Sequence, residues 1–300
     1  MGLNNHTITK KLFLILAVLL LPVVVWGEDV KIDGINYSLN KGGATVIKDG
    51  SYYGDVVIPE EVIYEGTTYR VTSINQSAFS GRKLMTSISI PMTISSIGKD
   101  AFDGCTGLTA VYIENLTRWC RTTFNNYSSN PLYYAHHLYL NGEEIKELVI
   151  PNSVTSIAAL AFYGCTGITS VIIPNSVTSI GIGAFESTGI SSVVIPNTIT
   201  TISPYVFYDC IALTSVTIPD NVTVIDQWAF FGCTSLTIVN ISEGLESIGE
   251  CAFAGCTNLK SIVIPNSVTS IATWAFNGCY SMTSVTIGSG VKGSADFPGW

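Results

Sequence analysis

Charged residues are scarce in this 300-residue sequence. Asp, Glu, Lys and Arg together make up 12% of it, while hydrophobic residues make up 47%. A disordered chain combines low hydrophobicity with high charge, and a helical protein needs Lys, Glu and Arg on its exposed faces, so neither class fits. The 14 basic residues are outnumbered by 22 acidic ones, which opposes a nucleic-acid-binding role. The composition indicates an exported, sheet-rich protein with a surface of hydroxyl and amide groups.

Long apolar runs are absent after the first thirty residues. Two lysines precede the one such run, Leu12–Val25, and Gly27 then provides a small residue for cleavage. This is the layout of a secretory signal peptide, so we predict that residues 1–27 are removed on export. The run is shorter than the ~20 apolar residues of a membrane helix, although an uncleaved membrane anchor is the alternative. We expect no membrane span in the mature chain.

A period of 23 residues governs the chain after about residue 70. The dipeptide Ala-Phe recurs mostly at intervals of 23 residues, with one interval of 22 and one of 60. The copies are Ala78-Phe79, Ala101-Phe102, Ala161-Phe162, Ala184-Phe185, Ala229-Phe230, Ala252-Phe253 and Ala275-Phe276, with Val206-Phe207 in the remaining place. Such a period indicates units that stack and share one core.

Each unit contains the pattern of a short strand followed by a turn. Residues 170–173 alternate with a period of two, and Pro174 ends the strand because proline cannot donate to a β-ladder. The Ala-Phe step suits a single helical or 3-10 turn, and the glycine two residues after Phe is expected at positive φ. The units therefore predict a β-rich solenoid.

One string carries a resemblance to a known family. Ile-Pro-Asn-Ser-Val-Thr-Ser-Ile occurs at 150–157, 173–180 and 264–271, each time followed by the Ala-Phe step. This pattern resembles the BspA-type leucine-rich repeat over about residues 71–290. The resemblance implies a leucine-rich repeat array with a parallel sheet on one face, and no catalytic residues. It also implies a secreted or surface-attached protein of a host-associated bacterium or a parasitic protist, with adhesion to host proteins as the recurring role.

The regions outside the regular repeats are expected to have separate roles. Residues 28–70 predict a small N-terminal β cap, with strands at 55–58 and 62–64 and a hairpin turn at Gly66. Residues 71–290 predict the solenoid. In the tail, 291–300, either Phe297 and Trp300 cover the last coil or its edge is available to a partner.

The irregular long repeat, 114–150, is 14 residues longer than a regular unit and rich in aromatic residues. Leu138–Leu140 before Asn141-Gly142 predicts a short hairpin. The segment is either a projecting contact loop or an elongated coil packed on its neighbours, and we favour packing.

Six cysteines share one repeat position, which is taken by Ser187 in the 22-residue unit. They are Cys105, Cys165, Cys210, Cys233, Cys256 and Cys279. Equivalent positions in a stack are about one strand spacing, ~4.8 Å, apart, whereas a disulfide needs converging Cβ atoms at ~3.8 Å. We therefore expect buried thiols and no disulfides or metal site here. His136-His137 lacks well-spaced partner ligands, so no metal, cofactor or catalytic residue is predicted.

The outward-facing positions of the predicted sheet form a candidate binding face. Its members are Tyr112, Val149, Ile172, Val194, Thr217, Asn240 and Val263. Exposed aliphatic residues in register suit a protein-binding surface, although β-branched residues also simply suit a pleated surface.

These observations predict a non-enzymatic exported leucine-rich repeat protein that mediates protein binding or adhesion. It would be secreted or displayed on a bacterial cell surface, with the periplasm as a further location. The expected partner is a protein such as a host matrix or serum protein. The alternatives are a structural spacer or envelope component without a specific ligand, and a glycan-binding accessory protein.

Overall fold

Residues 27–48 and 51–292 of the computed structural model are described here. The chain winds into a β-solenoid of about 11 turns with parallel sheets and few helices, which confirms the predicted fold. Paired residues in adjacent regular coils lie 22 or 23 positions apart, as in Val171 with Val193 and Val216 with Val239. The predicted signal peptide, apart from Gly27, and residues 293–300 of the tail lie outside the described residues.

The front face is formed by one strand from each coil. These strands belong to three successive sheets of five, five and two strands. They are Gly54–Val57, Met85–Ile90, Ala110–Ile113, Leu138–Leu140, Glu147–Val149, Ser170–Ile172, Ser192–Val194, Ser215–Ile218, Ile238–Ile241, Ser261–Ile264 and Ser284–Ile287, with Glu143–Glu144 joined antiparallel to Leu138–Leu140. Alternate residues point into the core, as the period-two pattern predicts.

A second set of parallel strands, most of them two residues long, forms the back face. Its members are Thr67–Ile74, Ser96–Ile97, Thr123–Phe124, Ser156–Ile157, Ser179–Ile180, Thr201–Ile202, Val224–Ile225, Ser247–Ile248 and Ser270–Ile271. Each two-residue strand directs its second, apolar residue toward the core, as in Ser179–Ile180. The inward residues of both faces meet in one continuous core.

The N-terminal segment is hydrogen-bonded to the first coils. Its antiparallel strands are Glu28–Ile32, Ile35–Asn40 and Gly43–Val46. Glu61–Tyr64 and Thr67–Ile74 form the predicted hairpin, whose turn residues Glu65 and Gly66 have φ of 47° and 75°. Gly54–Val57 pairs in parallel with Met85–Ile90, so this segment also supplies a front-face strand. Its role as a cap stays a prediction.

The Ala-Phe steps form a column of stacked rings along the core. Neighbouring rings from Phe162 to Phe276 have centroids 5.1–5.8 Å apart and planes within 15° of parallel. Offset parallel rings at this spacing attract one another beyond the gain from area burial. The alanine beside each Phe is fully buried, as at Ala229, which leaves room for the rings of adjacent coils.

The turns contain two left-handed positions per coil. The predicted glycine position has positive φ throughout, including Gly232 at 70° and Asp209 at 51°. The residue before Ala is also left-handed, as Trp228 shows with φ of 60°, and the sequence did not predict this. Alternate N–H groups therefore point to the next coil: Trp228, Phe230 and Gly232 donate to Glu250, Ala252 and Ala254 carbonyls at 2.8–2.9 Å. These bonds satisfy backbone groups that a tight turn would otherwise leave unpaired.

The long repeat forms an additional coil. It contains the helices Leu116–Trp119 and Leu132–Ala135 and a 3-10 turn at Tyr127–Ser129. The predicted hairpin at Asn141-Gly142 is present. Trp119 is 2% exposed, and its Nε1 donates to the Ala161 carbonyl at 2.8 Å. Trp119 thus packs against the next coil, while Tyr127 and Tyr133 of the same segment are 41% and 39% exposed.

Candidate functional site

The predicted binding residues form one row along the front face. Val149, Ile172 and Val194 are direct neighbours in register, and their side chains are 54%, 50% and 76% exposed. Thr217 pairs with Asn240, and Val263 is 61% exposed. Tyr112 is half-buried. The row gives three adjacent coils an uninterrupted aliphatic stripe, which is the arrangement of an apolar contact surface.

Two members of this row were not predicted. Val57 pairs with Ser89 and is 65% exposed, although it belongs to the expected cap. Tyr139, from the long repeat, pairs with Tyr112, and their ring centroids are 4.8 Å apart. The long repeat has no Ala-Phe step, so spacing alone could not align Tyr139 with the row. Only the strand pairing reveals it.

Charge lies near the N-terminal end of the front face. Asp55 Oδ1 accepts hydrogen bonds from Thr86 Oγ1 at 2.8 Å and Ser87 Oγ at 2.7 Å, and these bonds lower the pKa of this carboxyl. Glu147 is the neighbour of Ser170 in the adjacent row. The aliphatic stripe itself contains no charged side chain, so its contacts depend on apolar burial.

The cysteines are buried, unpaired thiols, as predicted, with the side chain of Cys279 only partly buried. Cys105, Cys233 and Cys256 Sγ donate to the Phe carbonyl of the preceding coil at 3.0–3.3 Å. Burial raises the pKa of Cys105 to about 11, which opposes a nucleophilic role. The prediction that Ser187 takes this position was wrong. Ser187 occupies the left-handed glycine position with φ of 57°, and Thr188, 2% exposed, replaces the cysteine.

The two histidines among the described residues lie within hydrogen-bond distance of neighbouring oxygen atoms. His136 Nδ1 lies 2.8 Å from the Gly164 carbonyl, and His137 Nδ1 lies 2.6 Å from Glu144 Oε1. Within the described part of the chain, no group of three His, Cys, Asp or Glu side chains could hold a metal ion. No helix in residues 27–48 and 51–292 is long and apolar enough to span a membrane.

A second surface feature lies on the turns and was not predicted. In several coils, the left-handed residue at the start of the turn or the residue directly after Phe is aromatic. Some of these side chains lie with Tyr127 of the long repeat around Glu186. The aromatic members are Tyr127, Tyr133, Tyr163, Tyr205, Tyr208, Trp228 and Phe231. We call this set the aromatic cluster.

The comparisons with known proteins agree with this architecture. The model of the BspA type leucine rich repeat region matches in six copies, over residues 47–134, 135–245 and 229–296. A leucine rich cell surface protein from Faecalibacterium prausnitzii A2-165 is 22% identical, with 89% of this chain and 95% of that chain covered and a TM-score of 0.47. A leucine-rich repeat protein from Bacteroides ovatus ATCC 8483 is 26% identical, with 88% and 90% covered and a TM-score of 0.37.

The pneumococcal vaccine antigen PcpA is 18% identical, with 88% of this chain and 82% of that chain covered and a TM-score of 0.43. Among curated proteins, none matches this sequence significantly. Because these TM-scores are below 0.5, the assignment rests on the repeat match and on the coils described above.

Proposed function

The chain belongs to the BspA-type leucine-rich repeat family, and we propose that it is an exported, non-enzymatic protein that binds another protein through its front face. The observation that carries this proposal is the aliphatic stripe of Val149, Ile172 and Val194, exposed in register on three adjacent coils. Export is supported by the signal-peptide layout of residues 1–27. Intact mass of the exported chain, expected to begin at Glu28, checks that step.

The partner that suits this stripe is a protein with an uncharged apolar contact surface. Exposure of a single aliphatic side chain to water costs little free energy. Covering a contiguous apolar patch with a complementary surface contributes ~25 cal/mol of binding free energy per Å² of apolar area buried. A charged partner surface would lose hydration without gaining an ion pair, because the stripe offers none. A host matrix or serum protein with such a surface is the class that we propose.

The test is binding of residues 28–300 to a panel of host matrix and serum proteins, measured by biolayer interferometry. The double substitution Ile172→Asp and Val194→Asp should weaken saturable binding by about tenfold or more, because it places two charges in the desolvated centre of the contact. Leu84→Asp with Ile211→Asp is the matched control, since these residues are 75% and 61% exposed outside the stripe.

Unchanged binding by the front-face variant would reject this surface. No binding by the wild-type chain to any protein of the panel would favour the spacer, and binding only to glycans would favour the accessory protein.

A further inference from the structure

A shallow pocket of about 320 Å³ opens on the turns of the solenoid, apart from the strands of the front face. It is lined by Tyr127, Tyr163, Glu186, Tyr205, Tyr208 and Trp228. The long repeat contributes Tyr127, and four regular coils contribute the others. The pocket therefore extends from the irregular coil across the four regular coils that follow it.

Aromatic rings form the walls of this pocket. On one side, the Tyr127 and Tyr163 centroids are 4.7 Å apart. On the other side, Tyr205 and Trp228 stack with centroids 6.2 Å apart and planes 4° from parallel, and Tyr208 contacts Trp228 at 6.3 Å. Each of these rings is partly exposed or exposed, so part of each ring surface remains available to a ligand.

A buried carboxylate forms the floor between the walls. Glu186 is only 7% exposed, and its Oε2 has no hydrogen-bond partner among the described residues. Gly183 occupies the left-handed position at the start of this turn, where the neighbouring coils have Leu160 and Tyr205. A Cβ on Gly183 would lie 2.8 Å from Oε2, so the absence of a side chain at Gly183 leaves room for the carboxylate, whose Oε2 is itself enclosed.

The floor of the pocket contains acidic groups, and no basic side chain lines the pocket. Burial and the nearby Asp209 carboxylate raise the pKa of Glu186 to about 7, although a hydrogen bond from the Tyr127 hydroxyl opposes this shift. Burial also raises the pKa of Asp209. A buried carboxylate without a cationic partner is costly, and a cation that enters the pocket would relieve this cost.

We propose that the pocket binds organic ammonium cations, which contact the Glu186 carboxylate and lie against the faces of Tyr163, Tyr205 and Trp228. Aromatic faces attract a cation within about 6 Å, and a cage of such rings around an acidic group is the known arrangement for alkylated ammonium groups. This site is independent of the front face. The shared chemistry of its ligands is an alkylammonium group, from a lysine side chain or from a small quaternary amine.

Calorimetric titration of residues 28–300 distinguishes these sources. The probes are choline, Nα-acetyl-lysine-methylamide and its Nε-trimethylated form, with 3,3-dimethyl-1-butanol as the neutral carbon isostere of choline. We expect the cations to bind and the neutral isostere to bind about tenfold more weakly or not at all. Binding of choline alone would identify a small-amine site. Binding of both the trimethylated and the unmodified lysine derivative would identify a peptide site.

Glu186→Gln keeps the shape of the floor and removes its charge, and should weaken cation binding by about tenfold. Asp103→Asn is the matched control, because Asp103 follows Phe102 as Glu186 follows Phe185, but it is exposed and outside the pocket. Trp228→Leu tests the aromatic wall and should also weaken binding.

The affinity of the wild-type chain should rise between pH 6 and 8, because the carboxyl ionises with a pKa of about 7. The other titratable groups that face Glu186 are Asp209, the Cys210 thiol and the hydroxyls of Tyr127, Tyr163 and Tyr208. The pKa of each of these tyrosines is raised, so they stay neutral in this range. Equal binding of the neutral isostere, unchanged binding by Glu186→Gln, or binding of sugars alone would overturn the proposal.

Discussion

Threonine hydroxyls connect each coil to the one before it. Thr214 Oγ1 donates to the Ser191 carbonyl at 3.1 Å, and Thr237 Oγ1 donates to the Thr214 carbonyl at 3.1 Å. The same carbonyls also accept the Thr214 and Thr237 backbone N–H groups. Polar side chains at the surface are thus satisfied by stacking, which explains how a chain with only 12% charged residues presents a hydrated exterior.

Glu186, unlike these threonines, is not satisfied by the stacking of coils, and its effect on the free energy of unfolding depends on pH. Its pKa is raised to about 7 from 4.5, so the folded state favours the protonated form. Below pH 4.5 both folded and unfolded chains are protonated and the residue has no penalty. As pH rises from 4.5 through 7, the free energy of unfolding falls, and the loss is complete above that range.

We therefore expect Glu186→Gln to raise the free energy of unfolding at pH 8 by roughly 1–3 kcal/mol and to leave it nearly unchanged at pH 4. Urea unfolding of the variant, of wild type and of Asp103→Asn at both pH values provides the measurement. An equal change at the two pH values would show that the carboxyl is not held in a raised-pKa environment.

At the scale of one element, the turn depends on backbone conformation more than on side-chain identity. Gly255 has φ of 74°, and an added Cβ would lie 3.4 Å from Gly232 N. Asp209 occupies the equivalent position of its own coil with φ of 51°, and Asp and Asn are the non-glycine residues that best tolerate this region.

Gly255→Ala should accordingly lower the free energy of unfolding by about 1–2 kcal/mol, and Gly255→Asn should lower it less. Asn277→Ala introduces the same residue at an exposed site next to the corresponding glycine of the following coil and should have little effect. Thermal unfolding followed by circular dichroism compares the three variants. If Asn is as harmful as Ala, close packing and not φ sets the cost.

The turns also explain which features were predictable. The Ala-Phe spacing predicted the stacked core, and the glycine after Phe predicted one left-handed position. The second position carries Leu160, Tyr205 or Trp228, residues with no sequence preference for positive φ, so nothing in the pattern indicated it. The aromatic cluster depends on that conformation and on Tyr127 of the non-repetitive segment. It becomes visible only when coils from distant parts of the sequence are brought together.

For the whole molecule, the repeat makes length adjustable in units of one coil. Removal of residues 233–255 joins Gly232 directly to Cys256, which restores the Gly-Cys junction found in other coils. We expect this shortened chain to fold, with a sheet-type circular dichroism spectrum and a lower free energy of unfolding, because one coil and one coil–coil interface are lost.

Removal of residues 233–243 is the contrasting change, since it eliminates half a period and places polar residues at core positions. This variant should lose cooperative unfolding. Retention of a cooperative transition by the half-period deletion, or its loss in the full-period deletion, would contradict a stack built from equivalent coils.

The buried cysteines that recur along the solenoid also provide natural probes of its local stability. Alkylating reagents attack thiolates, and burial raises the pKa of Cys165, Cys210 and Cys279 to about 12. A thiol of this kind reacts when its coil separates from its neighbours, so labelling rates measure local opening free energies. Because these cysteines lie in successive coils, a comparison of their labelling rates shows which coils open most easily, and no probe has to be introduced.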